Sequence, residues 1–132
     1  MYRPDDGNAY PVILGRTPYN KQLYDPYRPW QLFADRGYIV LVQDCRGRNA
    51  SDGVFYPFLD EMQDGYDSVE WAASQKWSTG SIGMFGTSYL GVTQWMAAAA
   101  APQDDHPVLH QLRLSQRMDL PERRAFAERT WG

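Results

Sequence analysis

Short apolar runs alternate along the chain with stretches of helical period. Residues 11–16 carry Val12-Ile13-Leu14, entered from a polar, glycine-containing turn, and that length and flanking predict a buried strand. Residues 17–29 read as a loop rich in proline and tyrosine. Over 30–36, Trp30, Phe33 and Ala34 share one helical face, and Gly37 suits a left-handed cap at its end. Residues 38–42 form a second strand, rich in β-branched side chains and apolar nearly throughout, as expected of a parallel sheet covered on both faces.

A long loop is predicted over 44–58, with Gly47, Gly53 and Pro57 and no periodicity, a kind of segment that is usually functional or tightly self-packed. A helix follows from 60 to about 75. Its apolar repeat is Met62, Tyr66, Val69 and Ala73, and acids sit at its start, where the macrodipole favours them. Ser78-Thr79-Gly80 reads as a turn, 82–85 as a third strand and 89–101 as an alanine-rich, buried helix. Strand, helix, strand, helix, strand, helix predicts an α/β fold, a mostly parallel sheet with flanking helices and right-handed crossovers.

Composition narrows the function. A chain of 132 residues suits one ordinary domain, and a net charge of -3 without a basic cluster excludes nucleic acid and anionic membrane as expected partners. Cys45 is the single cysteine, so neither an intrachain disulfide nor a cysteine-based zinc site is expected. The nearly apolar run 92–101 is too short to span a bilayer and is broken by Thr93 and Gln94. The polar, acidic start over 1–6 has no signal-peptide pattern, so a cytoplasmic protein is expected.

Candidate chemistry concentrates at Phe85-Gly86-Thr87-Ser88-Tyr89-Leu90-Gly91, which joins the third strand directly to a helix. A serine on such a turn holds its hydroxyl above the strand ends. The helix N-terminus behind it offers free N–H groups and a partial positive charge. That arrangement suits a nucleophile whose following residue, Tyr89, points its N–H at an oxyanion. Gly86 fits because a side chain two residues before the serine would collide with the packed helix. The usual pattern is G-x-S-x-G, whereas Leu90 stands two after Ser88 and glycine comes only at Gly91. A serine that simply caps the helix stays open on this evidence of pattern. A phosphate-binding turn is weak, since Gly80, Gly83 and Gly86 do not form G-x-G-x-x-G and no Lys-Ser/Thr pair follows.

Residues 83–95 resemble the nucleophile region of the cocaine-esterase and Xaa-Pro dipeptidyl-peptidase group of α/β-hydrolases (CocE/NonD), which uses G-x-S-Y-x-G. Three further segments agree in order: Arg16-Thr17-Pro18-Tyr19-Asn20-Lys21, Gln43-Asp44-Cys45-Arg46-Gly47-Arg48, and Ser51-Asp52-Gly53 with Phe55-Tyr56-Pro57. The resemblance covers about residues 2–100 and implies the N-terminal part of an α/β-hydrolase domain over 1–101. It implies an acyl nucleophile at Ser88, the Tyr89 backbone N–H as one oxyanion donor and the Tyr19 hydroxyl as the other. A phenol suits that task as a neutral donor on a rigid ring. Without the resemblance, Tyr19 would read as a packed loop aromatic. No metal and no organic cofactor is implied. The implied partner is a small-molecule ester, amide or short peptide substrate, with oligomeric state left open.

The other conspicuous residues receive structural readings. Asp44, Arg46 and Asp52 are expected to form a buried ion-pair and turn network shaping the long loop, and Cys45 to be a small packed thiol. Trp71, Trp77 and Trp95 are expected in the core. The chain's two histidines, His106 and His110, follow Asp104 and Asp105 in the acid-then-histidine order of the fold, but far too close behind the serine. A solvated tail is the reading for them. Read from the second base of each codon, Met118-Asp119 forces a tryptophan, and 112–124 can spell Ser-Asp-Tyr-His-Asn-Gly-Trp-Thr-Tyr-Gln-Ser-Gly-Ala, similar to the segment after the family's nucleophile helix. The expectation is a one-base frameshift near Ala99 or Ala100, a poorly ordered tail over 102–132, and a remnant inactive by itself.

Overall fold

The computed structural model describes residues 1–23 and 29–101. The tail, its two histidines and the proposed frameshifted segment lie outside the described residues. Three strands, β1 (Tyr10–Thr17), β2 (Ile39–Asp44) and β3 (Ser78–Met84), alternate with α1 (Pro29–Ala34), α2 (Glu61–Ala73) and α3 (Tyr89–Ala100). The sheet order is β2-β1-β3, and both pairings are parallel, with Leu14 opposite Leu41 on one side and Met84 on the other. Tyr2 adds an isolated antiparallel bridge to Val40. β1 is central, and among the described residues β3 lies at an edge.

One sheet face packs on α2 and α3. Val12, Leu14, Ile39, Leu41, Ile82 and Met84 meet Val69, Ala72, Ala97 and Ala98 there in one buried cluster. The other face meets α1 through Trp30 and Phe33, whose rings stand edge-on to Phe85 at 5.7 and 5.2 Å. The paired coverage that the apolar strands predicted is therefore present. It follows from alternation: Val12 and Leu14 serve one face, while Ile13 and Gly15 serve the other.

Several local expectations need correction. Ser78-Thr79-Gly80 belongs to β3 and is not a separate turn. Tyr10 pairs with Ser78 and Val12 with Ile82, so β3 carries extra residues in an irregularity, and Gly80 absorbs them at φ 83°. Turn-forming residues were a bulge signal here.

The buried row of α2 is Glu61, Gly65, Val69 and Ala72; it shares Val69 with the expected Met62-Tyr66-Val69-Ala73 stripe, and its other three members each lie one position earlier. Close helix contact decides this. A Cβ at Gly65 would lie 2.8 Å from Ala97 Cβ, so α2 turns its smallest residue toward α3 and leaves Met62 and Tyr66 half-buried. Trp71, expected in the core, is 55% exposed and stands edge-on to the half-buried Trp77. Its position beside the buried row, and not on it, explains the exposure. Trp95 is half-buried.

Candidate active site

β3 runs out at Met84, and α3 begins five residues later. Within this short link Gly86 has φ 140° and Ser88 has φ 58° and ψ -127°. A residue with a Cβ holds such a backbone at a cost of about 1–3 kcal/mol. Gln94, buried on α3, secures the link by donating through Nε2 to Gly86 O at 2.9 Å and Leu90 O at 3.0 Å. Ser88 is exposed, and its side chain makes no capping hydrogen bond to α3. The serine therefore occupies a helix N-cap position in a strained, non-capping geometry. Tyr89 is the first residue of α3, where a helical N–H has no intrahelical partner.

Tyr19 is brought beside this link by the loop after β1. Thr17 Oγ1 accepts from Tyr19 N at 3.0 Å, and Cys45 N donates to Thr17 O at 2.9 Å. Asp44, 1% exposed, accepts from Lys21 N at 2.8 Å and from Ala50 N at 3.3 Å, and pairs with Lys21 Nζ at 3.4 Å. Arg48 Nε donates to Pro18 O at 2.9 Å. These contacts tie the Tyr19 loop to the 44–50 segment. The Tyr19 ring is 48% exposed and stands edge-on to Tyr89, centroids 6.2 Å apart.

The expected loop network is thus partly as read. Asp44 is the buried organiser. Arg46 and Asp52 are exposed, which corrects the expectation for both. Arg46 reaches along the surface to the Asp64 carboxylate, and Asp52 contributes its backbone carbonyl to Gly47 N at 2.9 Å. Cys45 is fully buried, and burial, followed by the nearby Glu61 charge, pushes its thiol pKa well up. It is an unreactive packed thiol.

A second set of groups was not legible as a site. Arg16 and Glu61 are 1% and 4% exposed, and Arg16 Nη1 donates to Glu61 Oε2 at 2.7 Å. The Tyr89 hydroxyl donates to Glu61 Oε1 at 3.1 Å and accepts from Phe58 N at 3.2 Å. Burial is the main reason the Tyr89 phenol pKa is raised, with Glu61 adding to it. An arginine within an apolar strand run was the available signal. Nothing in the spacing named Glu61, 45 residues away, as its partner.

A parallel sheet flanked by helices, with a strained serine between strand and helix, is the pattern of an α/β-hydrolase nucleophile turn. The family model of X-Pro dipeptidyl-peptidase (S15 family) matches residues 1–124, and the chain belongs to that hydrolase family. It is 44% identical over 106 residues to the cocaine esterase of Rhodococcus sp. (strain MB1 Bresler), covering 76% of this chain and 18% of the relative. A CocE/NonD family hydrolase from Staphylococcus aureus superposes with a TM-score of 0.64 at 32% identity, covering 74% of this chain and 21% of that one. An α-amino acid ester hydrolase superposes with a TM-score of 0.64 at 26% identity, covering 81% and 20%. The chain thus spans about a fifth of the length of these relatives. No helix of the described residues is long and apolar enough to cross a membrane.

Proposed function

We propose that this chain carries the nucleophile segment of a serine hydrolase that cleaves ester or amide bonds through an acyl-enzyme on Ser88. The observation that carries the reading is the Ser88 backbone, φ 58° and ψ -127°, with the side chain exposed and not used to cap α3. Strain of this kind is retained where it aims a group.

In this reading Ser88 Oγ attacks the acyl carbon, the carbonyl oxygen becomes an oxyanion, and the Tyr89 N–H and Tyr19 hydroxyl donate to it. Donors placed in advance lower the barrier because they need no rearrangement as charge develops. The substrate is a small ester, an amide or a short peptide, in keeping with the names of the relatives. Collapse of the tetrahedral intermediate expels the alcohol or amine, and water then releases the acid. A base must take the serine proton and return it to the leaving alcohol or amine; it is not assigned to this chain, whose two histidines, His106 and His110, read as a solvated tail.

A second reading, in which this chain by itself is inert, rests on the 18% share it spans of the cocaine esterase. A fluorophosphonate probe separates the two. Adduct mapped by mass spectrometry to Ser88, lost in Ser88→Ala and slowed in Tyr19→Phe, supports the hydrolase reading. A folded chain that takes up no probe supports the inert one.

A further inference from the structure

We propose that Glu61 is a positioning residue for the Ser88 site, acting through the Tyr89 hydroxyl on the ring of Tyr19. The inference rests on the assignment of Ser88 and Tyr19 above and adds a residue from a different element, the first turn of α2.

The two oxygens of Glu61 have separate tasks. Oε2 accepts from the Arg16 guanidinium at 2.7 Å, and Oε1 accepts a hydrogen bond from the Tyr89 hydroxyl at 3.1 Å. Arg16 is itself held from other directions, by Gln43 Oε1 at 3.0 Å, the Glu61 carbonyl at 3.4 Å and the Asp64 carboxylate at 3.8 Å. The carboxylate is therefore a fixed point. A buried ion pair is a poor stabiliser compared with apolar side chains of similar volume, so packing alone does not account for it. What it supplies is direction.

That direction is transmitted through one ring. The Tyr89 oxygen already accepts the Phe58 N–H at 3.2 Å, which leaves its single proton for Glu61 and fixes the torsion of the hydroxyl. Phe58 lies at φ 70°, rare for a bulky residue, and its ring stacks on Tyr89 with centroids 4.9 Å apart. Phe55 approaches the same ring at 6.3 Å and Tyr19 at 6.2 Å. Tyr89 is thus the shared wall of the cluster, and its backbone begins the helix behind Ser88. Glu61 sets the depth and tilt of that wall, and through it the side on which the half-exposed Tyr19 ring rests.

The test replaces Tyr19 alone with 3-fluorotyrosine in the full 132-residue chain and reads its fluorine resonance. Arg16→Met with Glu61→Leu removes both buried charges together, so that neither is orphaned. Tyr89→Phe removes only the phenolic oxygen. The expected result is that each change moves the Tyr19 resonance by the same amount, and that all three substitutions combined move it no further. A role confined to stability predicts an unmoved resonance in the folded apolar variant, and that result overturns the proposal. Shifts that add in the combined variant overturn it as well. Should the apolar variant fail to fold, Tyr89→Phe decides alone, an unmoved Tyr19 again being fatal. Phosphonylation of Ser88 is expected to slow about tenfold in Tyr89→Phe. If the unmodified chain takes up no probe, the hydrolase reading of this chain fails while the fluorine resonance still decides the role of Glu61.

Discussion

A Cβ on Gly86 would lie 2.4 Å from Leu90 Cβ and 2.7 Å from Leu90 Cδ2. The strand-to-helix link and the first turn of α3 are that close because the chain must reverse between Met84 and Tyr89. Gly86 also takes φ 140°, which side chains rarely tolerate. Gly86→Ala is expected to lower unfolding free energy by about 2–4 kcal/mol, from overpacking plus backbone strain. Urea denaturation measures it, and a loss within about 0.5 kcal/mol would show that the turn relaxes freely.

Ser88 predicts the opposite sign. Its positive φ is a liability in the folded state, and its exposed side chain makes no cap bond that would be missed. Ser88→Gly is expected to hold or raise stability, by up to about 1 kcal/mol after glycine's greater unfolded-state entropy is counted, while abolishing probe uptake. A destabilisation above about 1 kcal/mol would mean that the serine side chain supports the fold.

Asp44 governs the Tyr19 loop. Asp44→Ala strips a buried acceptor from Lys21 N and Ala50 N and removes the partner of Lys21 Nζ. A loss of about 2 kcal/mol is expected. The change should also speed tryptic cleavage after Lys21, followed by mass spectrometry, because Asp44 holds both the Lys21 N–H and its ammonium. Unaltered cleavage would place the restraint on Arg48 and Thr17 instead.

Alkaline pH should weaken the fold. Cys45 and Tyr89 have ordinary pKa values of 9.0 and 10.0, and burial raises both in the folded chain. The unfolded chain therefore releases these protons first and binds fewer of them, which makes stability fall as pH rises. The contribution is whole below about pH 8.5 and declines above it, by up to about 1.4 kcal/mol per pH unit for each group. Urea midpoints at pH 7, 9 and 10 measure the slope. In Cys45→Ala the decline should begin nearer pH 10, and an unchanged onset would remove the thiol from the account.

The sequence by itself determined the order of elements, the parallel sheet and the strand-to-helix position of Ser88. Each is a local matter: apolar runs of strand length, glycines at the link, a helical run directly after it. The motif was readable because its parts lie within seven residues, as were Arg16 to Lys21 and Gln43 to Arg48. Only the tertiary structure decided which row of α2 is buried, because that depends on how closely Gly65 can approach Ala97. It alone joined Arg16, Glu61 and Tyr89, which come from a strand, a helix start and a second helix far apart along the chain. Local patterning has no term for such pairs. A charged residue reads as surface until packing supplies its partner, and here packing placed both partners out of water.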